Sequence, residues 1–271
     1  MEYEGQICRP PMERSSYMLP VAVGCSYNRC TFCTLFKHLR YRPLPIEQVE
    51  QELKRVSAAG GNPVQIFLGD GNAFGMETDH LLHILELIHR YFPGCRMVNM
   101  DASVTNISQK SDEELRLLYD QGVRRLYLGI ESGLDDVLSF TKKDHNLQQA
   151  YCQIERMKNA GMIFNAHIMT GIAGAGRGTE NAQQTALFFN RTQPERIINF
   201  SLFLNRRAPL FRDYQAGRFT PASELENLIE DRLLVSLLQV PGLHYDGMHD
   251  MLKVRVRGTL PQDREKMLKK F

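Results

Sequence analysis

Long apolar segments and an excess of charge of one sign are both missing from this sequence of 271 residues. Its longest strongly apolar runs, such as Leu233–Val240, have about eight residues, whereas a membrane-spanning helix needs about 20. The polar N-terminal segment has no apolar region of the kind that signal peptides contain. The sequence therefore indicates no transmembrane helix and predicts a cytoplasmic protein.

The charge balance is close to neutral, with 33 Lys and Arg residues against 31 Asp and Glu residues, a formal net charge of +2. That charge is too small to indicate a nucleic-acid or membrane partner through its field alone. The composition, 43% hydrophobic and 24% charged, is typical of a globular domain. A domain of this size buries about 75% of its unfolded surface, so it needs neither disulfides nor a metal to form a core.

The six cysteines are too few for a disulfide-rich scaffold in a chain of this length. Cys8, Cys95 and Cys152 are scattered, but Cys25, Cys30 and Cys33 lie within nine residues. In a reducing compartment, a tight group of thiols indicates metal binding or catalysis rather than a disulfide.

Predicted strands and helices alternate along the chain. The predicted strands are 18–24, 63–69, 96–102, 123–131, 162–169 and 195–204. The predicted helices are 45–61, 76–92, 111–122, 145–161, 179–192 and 222–240. Gly60, Gly122 and Gly161 stand where a left-handed helix cap belongs, and Ser111 with Glu114 forms a capping-box pattern. Six strand–helix units indicate one parallel α/β domain, and an open doubly wound sheet and a partial barrel both fit this pattern.

The segment after Pro241 is short. It predicts one strand, Leu252–Val256, and a terminal helix that begins near Pro261. In a parallel α/β fold, function lies at the C-terminal ends of the strands, and the motifs below follow predicted strands.

The cysteine loop GCSYNRCTFC directly follows the first predicted strand, with spacing C-x4-C-x2-C. An electron-transfer [4Fe–4S] cluster takes four thiolates, so three thiolates leave one iron open to another molecule. Three alternatives remain on the residues alone: a Cys3His zinc site completed by His38, an electron-transfer cluster completed by Cys8, and three buried structural cysteines that share one loop by coincidence.

Three cysteines after the first strand of an α/β domain, with aromatic Phe32 before the third, resemble the radical S-adenosylmethionine (SAM) superfamily. The usual spacing there is C-x3-C-x2-C, and this chain has one residue more between its first two cysteines. The segment LGIESGLDDVLSFTKKDH resembles the branch of coproporphyrinogen oxidases and methylthiotransferases, in a subgroup with a C-x4-C-x2-C loop. The resemblance implies a partial (β/α)6 TIM-like barrel over residues 1–240 and a C-terminal extension over 241–271.

The resemblance also implies roles for individual residues. Cys25, Cys30 and Cys33 would bind a [4Fe–4S] cluster, and Phe32 would pack near the adenine of SAM. The turn Gly69, Asp70, Gly71 and Asn72 would receive the methionyl amino group, with Asp101 as a further contact. Glu131 would face the methionine and ribose, and Lys143 would bind the SAM carboxylate. His167, or Asn165 in its place, would contact the ribose.

The implied activity is reductive cleavage of SAM to a 5′-deoxyadenosyl radical, which abstracts hydrogen from a small substrate, for which an anionic molecule is the preferred interpretation. The electron would come from a donor such as flavodoxin or ferredoxin, and the reaction requires no general acid or base. Arg206, Arg207, His244 and His249 are candidate substrate contacts. The competing interpretation is a non-enzymatic protein with an electron-transfer iron–sulfur cluster or a structural zinc ion.

Overall fold

The structure is a computed structural model that describes residues 3–5, 8–249 and 254–271, without the side chain of His249. The strands are β1 (Tyr17–Pro20), β2 (Ala22–Val23), β3 (Arg42–Pro43), β4 (Gln65–Gly69), β5 (Met97–Ala102), β6 (Val123–Glu131), β7 (Ile163–Thr170), β8 (Arg196–Ser201), β9 (Leu243–His249) and β10 (Val254–Leu260). The helices are α1 (Ile46–Ala58), α2 (Thr78–Tyr91), α3 (Val104–Ser108), α4 (Asp112–Asp120), α5 (Asp135–Phe140), α6 (Leu147–Asn159), α7 (Gly178–Thr192), α8 (Leu210–Gln215), α9 (Glu224–Leu237) and α10 (Arg264–Leu268).

The main sheet has eight strands in the order β1-β4-β5-β6-β7-β8-β9-β10, and β2 pairs with β3 in a separate two-stranded sheet. The β1–β4, β4–β5, β7–β8 and β8–β9 pairs are parallel, whereas β9 and β10 are antiparallel. The predicted α/β class is therefore confirmed. No helix within the described ranges is long and apolar enough to cross a membrane.

The chain divides into two compact units. The first comprises residues 1–28, 35–127 and 156–163, and the second comprises 29–34, 128–155 and 164–271. The boundary falls within β6 and within the cysteine loop.

The first unit contains α2, whose apolar face is buried as its 3- and 4-residue spacing predicts. Leu81, Leu85 and Ile88 are fully buried. The predicted capping box at Ser111 is present at the start of α4. Gly60, Gly122 and Gly161 all adopt positive φ, which confirms the predicted left-handed conformation after the helices.

A buried carboxylate connects three strands of the first unit. Glu13, in the 3-10 turn Pro11–Glu13, accepts hydrogen bonds from Gln65 of β4 (2.8 Å), Asn99 of β5 (2.9 Å) and Tyr127 of β6 (2.6 Å). It also accepts one from the hydroxyl of Ser16. Four donors balance the cost of burying the carboxylate.

The second unit contains the sheet from β7 to β10, with α7 and α9 in contact with each other. On β7, Phe164 packs against Phe189 of α7, with ring centroids 6.5 Å apart. On β8, Asn199 donates to Asp231 of α9 (3.1 Å), and the hydroxyl of Tyr245 on β9 also donates to Asp231. These contacts define the face of β7–β9 that is covered by helices.

The structure differs from the sequence prediction at two strands. The predicted strand 18–24 is split after Pro20: β1 lies in the main sheet, and β2 pairs with β3. The chain after Pro241 forms two strands, β9 and β10, where one was predicted. Of the predicted strand Leu252–Val256, the first two residues lie outside the described part of the chain.

Candidate functional site

The three clustered cysteines are free thiols of intermediate exposure. Cys25 belongs to the first unit, and Cys30 and Cys33 belong to the second. Between the latter two, the backbone N–H of Thr31 donates to the carbonyl of Thr141 (2.9 Å). The carbonyl of Thr31 accepts from the N–H of Leu210 (2.9 Å). Backbone bonds on both sides therefore position the Cys30–Cys33 segment.

Phe32 packs against a small apolar cluster of the second unit. The buried members of the cluster are Leu134, Val137 and Ile172, and Met169 and Ala173 pack on it beside Phe32. Leu134 and Val137 follow β6, and Met169 and Ile172 lie at the end of β7. The cluster thus places Phe32 at the C-terminal ends of these strands.

Cys30 lies in a buried, charged environment. Burial raises the pKa of its thiol to about 11, while Lys143 lowers this pKa and Glu131 raises it. Burial also lowers the pKa of Lys143, but Glu131, Cys30 and Asp144 outweigh burial and keep that pKa above its usual value. Lys143 is therefore a permanent cation beside Cys30.

A chain of ionisable groups extends from Glu131 to His145. The Nζ of Lys143 lies 3.2 Å from Oε1 of Glu131 and 3.6 Å from Oδ1 of Asp144. Nδ1 of His145 lies 3.1 Å from the same oxygen of Asp144. All four side chains are nearly inaccessible, so two carboxylates compensate one buried ammonium.

The turn that follows Glu131 is attached to α7. Ser132 Oγ donates to Oδ1 of Asn181 (2.6 Å), and the N–H of Gly133 donates to Oγ1 of Thr185 (2.9 Å). A Cβ at Gly133 would lie 2.3 Å from the backbone nitrogen of Thr185, so this close approach requires glycine. Helix packing thus determines where Glu131 lies.

In the first unit, the turn after β4 contacts the start of the cysteine loop. Gly71 has φ +47°, and a Cβ there would lie 2.3 Å from the carbonyl oxygen of Gly24. Asn72 donates through Nδ2 to Oγ of Ser26 (3.0 Å). The predicted turn and Cys25, which lies between Gly24 and Ser26, are therefore neighbours.

Asn72 has an unused acceptor. Its side chain is buried, and its Oδ1 has no hydrogen-bond partner among the described residues. A buried acceptor without a partner costs about 1–3 kcal/mol. A ligand with an N–H donor, such as an ammonium group, would relieve this cost.

Asp70 is engaged by the N-terminal segment. It accepts hydrogen bonds from the hydroxyl of Tyr3 (3.0 Å), the N–H of Cys8 (3.2 Å) and the N–H of Gly71 (2.7 Å). Burial raises the pKa of Asp70, these hydrogen bonds partly offset the rise, and the charge of Asp101 adds to it. Asp70 and Asp101 are thus electrostatic neighbours.

His167 lies on β7, and its ring stacks on Phe200 of β8 with centroids 6.1 Å apart. Asn165 lies two residues earlier on the same face of β7, fully buried, and neither atom of its amide has a partner among the described residues.

The predicted substrate contacts whose side chains the structure describes are exposed. Arg206 and Arg207 are exposed in the segment after β8. His244 is exposed on β9, where Nδ1 lies 3.1 Å from Oγ1 of Thr259. The side chain of His249 lies outside the described residues.

Sequence reasoning missed three contacts of the candidate site: Ser26, Asp144 and His145. Asp144 and His145 directly follow Lys143. Their position beside a predicted ligand-binding cation was the signal in the sequence that could have identified them. For Ser26 there was no comparable signal, because its contact with Asn72 joins segments 46 residues apart.

By donor type the three cysteines fit an iron–sulfur cluster, since thiolates are its usual ligands and the three thiols form no disulfide, but in this structure they are not grouped to hold a metal ion. In the described part of the chain, no group of three or more His, Cys, Asp or Glu side chains is arranged to hold a metal ion. Residues 19–181, more than half of the chain, match the sequence profile of the Radical SAM superfamily. The chain belongs to the radical SAM superfamily.

Curated relatives agree with this assignment. The chain is 24% identical over 223 residues to the heme chaperone HemW of Bacillus subtilis (strain 168), an alignment covering 79% of this chain and 58% of HemW. It is 23% identical over 220 residues to the ribosomal protein uS12 methylthiotransferase RimO of Desulforamulus reducens, covering 79% of this chain and 46% of RimO. This radical SAM chain thus spans about half the length of the curated relatives it matches.

Solved structures share the fold. Coproporphyrinogen III oxidase (HemN) from Escherichia coli, a radical SAM enzyme, has a TM-score of 0.61 at 15% identity, over 82% of this chain and 52% of that one. The methyltransferase TsrM from Kitasatospora setae, with cobalamin and a [4Fe–4S] cluster bound, has a TM-score of 0.58 at 17% identity, over 72% and 38%. These structural matches confirm the predicted partial TIM-like barrel, and the superfamily profile together with the curated relatives confirms the predicted branch. Membership of the superfamily confirms the predicted cofactors, a [4Fe–4S] cluster and SAM.

Proposed function

We propose that this chain is a radical SAM enzyme in which Cys25, Cys30 and Cys33 bind three irons of a [4Fe–4S] cluster. The fourth iron would take the amino and carboxylate groups of SAM. When bound, the cofactors supply one-electron cleavage of the sulfonium C–S bond, giving methionine and a 5′-deoxyadenosyl radical that takes a hydrogen atom from substrate. The substrate is a small molecule, and the electron donor is a flavodoxin or ferredoxin in the cytoplasm.

The observation that carries the proposal is the position of Cys30 beside the Lys143–Glu131 pair. Lys143 is close enough to Cys30 to lower the pKa of its thiol. A buried cation next to a cluster ligand is suited to bind the carboxylate of SAM, because charge-assisted bonds strengthen where water is excluded. Glu131, which lies 3.2 Å from Lys143, would hold the ammonium group of Lys143 in place.

The first unit would bind the amino group of SAM. Asn72 offers a buried Oδ1 acceptor without a partner among the described residues, in the turn that contacts Gly24 and Ser26. Asp70 and Asp101 would add negative charge near that ammonium group. In the second unit, Phe32 would pack against the adenine, and His167 would contact the ribose.

Residues 1–240 would form the radical SAM core and 241–271 an extension packed on it. The C-x4-C-x2-C spacing would place the chain in a subgroup of its branch. The one additional residue, between Cys25 and Cys30, would lengthen the loop without removing a ligand.

The test is anaerobic reconstitution with iron and sulfide, followed by reduction with dithionite in the presence of SAM. We expect about four irons per chain and slow formation of 5′-deoxyadenosine. Cys25→Ala should lose both, whereas Cys152→Ala, which removes an exposed free thiol, should retain both. About one zinc per chain and no 5′-deoxyadenosine would instead support the structural zinc interpretation.

A further variant separates the proposed function from an electron-transfer protein. If Cys8 completes a four-thiolate cluster, the Cys8→Ala variant will lose iron. In the wild-type chain, adding SAM will then leave the electron paramagnetic resonance spectrum of the reduced cluster unchanged. We expect the variant to retain its iron and SAM to alter the spectrum.

A further inference from the structure

One face of the β7–β10 sheet, within the second unit, is directed away from α7 and α9. Phe164, Asn199 and Tyr245 point toward those helices. Side chains alternate along a strand, so His167 on β7, Phe200 on β8 and Asp246 on β9 point the opposite way. The stacking of His167 on Phe200 confirms that they share this face.

Strand register aligns the residues of this face in rows. His167 pairs with Ile198, Ile198 with Asp246, and Asp246 with Arg257. Adjacent strands lie about 4.8 Å apart, so Asp246 is about 10 Å and Arg257 about 14 Å from His167 along this row. The next row is apolar at its centre, with Met169 beside Phe200 and Phe200 beside Met248.

A pair of arginines ends these rows on β10. Arg255 donates to Asp246 through Nε (3.1 Å) and Nη2 (2.9 Å), and Arg257 donates to it through Nε (2.8 Å). Asp246 is buried, whereas both guanidinium groups are substantially exposed. Two cations thus share one carboxylate and leave a net charge of +1.

Each arginine uses the Nε and Nη2 side of its guanidinium toward Asp246. The Nη1 group, which carries two N–H donors, forms no hydrogen bond with that carboxylate. A second anion on these donors would offset the residual charge and would gain charge-assisted hydrogen bonds.

We propose that this face binds a small molecule with an apolar body and a terminal carboxylate. The carboxylate contacts Arg255 and Arg257, and the body lies over Phe200 and Met248, toward His167. The inference rests on the proposed function, since the contact of His167 with SAM is what makes the bound molecule a substrate. The apolar strip, one strand spacing wide on either side of Phe200, fits a small molecule rather than a polyanion.

The test measures binding of octanoate to the full chain by titration calorimetry, with octanamide as the uncharged probe. Octanoate should bind more tightly than octanamide, and Arg257→Met should weaken octanoate binding about tenfold or more, the loss expected for one hydrogen bond to a charged group. The matched control is Arg218→Met, because Arg218 is equally exposed (60%) and forms the same kind of pair, with Asp213.

Asp246→Asn distinguishes ligand binding from structural support. Since Asp246 competes for both arginines, its neutralisation should tighten octanoate binding, whereas a purely structural cluster would lose binding in both variants. If Asp246→Asn does not fold, as judged by urea denaturation, Arg255→Gln should weaken octanoate binding and leave octanamide binding unchanged.

Two results would overturn the proposal. One is an equal affinity for octanoate and octanamide in a wild-type chain that produces 5′-deoxyadenosine. That result would leave the proposed function intact. The other is binding of a mixed-sequence single-stranded RNA that depends on Arg257 when octanoate does not bind. Arginine-dependent octanoate binding without any SAM cleavage would instead remove the proposed function and retain an anion site.

Discussion

Lys143 is compensated within the protein before any ligand binds. Glu131 and Asp144 both lie within 4 Å of its Nζ, and His145 is hydrogen-bonded to Asp144. The carboxylate of SAM would therefore meet a cation that is already oriented. Such preorganisation reduces the free-energy cost of binding.

Replacing Lys143 tests this role directly. Lys143→Ala should weaken SAM binding about tenfold or more, because a charge-assisted bond is lost, while the iron content stays unchanged. Equilibrium dialysis with radiolabelled SAM and an iron assay measure the two quantities.

Lys142→Asn is the matched control, since Lys142 is exposed and has φ +53°, a conformation that asparagine tolerates. Lys143→Arg should recover part of the affinity by keeping the charge. An unaltered SAM affinity in Lys143→Ala would exclude Lys143 from the binding site.

At the scale of elements, α7 supports the loop that contains Glu131. Ser132 and Gly133 both bond to α7 side chains. On α9, Glu230 accepts from Asn181 (2.6 Å) and from the N–H of Gly171 (3.1 Å). The turns after β6 and β7 are therefore attached to the same pair of helices.

Gly133→Ala should disturb this attachment. The added methyl group would overlap the backbone of α7, 2.3 Å from the nitrogen of Thr185, and overpacking of this kind costs about 1–3 kcal/mol. Urea denaturation should show that loss. Gly94→Ala is the control, since its Cβ would meet its nearest atom, of Asn62, at 3.6 Å; equal losses in both variants would contradict the packing argument.

The sequence predicted most of these elements because helix and strand periodicity are local. The apolar spacing of α2 and the capping box of α4 are examples, and both are present. The division of the first predicted strand could not be predicted, because β2 leaves the main sheet to pair with β3, about 20 residues away. Neither periodicity nor composition encodes which partner a strand selects.

The candidate site divides in the same way. Cys25, Lys143 and the turn at Gly71 were identifiable because each follows a strand and belongs to a recognisable motif. The contacts around them, such as Tyr3 with Asp70 across 67 residues, depend on the fold. The binding roles of the predicted residues stay predictions until the cofactor-bound protein is measured.

At the scale of the whole molecule, the near-neutral charge argues against tight binding of a polyanion such as tRNA. This chain has a formal net charge of only +2. A strong polyanion field is therefore not expected.

We accordingly expect bulk tRNA to bind no more tightly than about 10⁻⁶ M, within the usual range for non-specific binding. Filter binding at about 50 and 200 mM salt measures both the affinity and its salt dependence. A nanomolar affinity that falls steeply with salt would contradict this expectation and indicate a nucleic-acid substrate.

Glu13 has a consequence for how the first unit selects its strand alignment. Its donors come from three neighbouring strands, and Tyr127 lies 114 residues away along the chain. Shifting β5 or β6 by one residue would turn Asn99 or Tyr127 to the other side of the sheet. The buried carboxylate of Glu13 would then lose a hydrogen-bond donor. The carboxylate of Glu13 therefore favours the native strand register, since only that register supplies all of its hydrogen-bond donors.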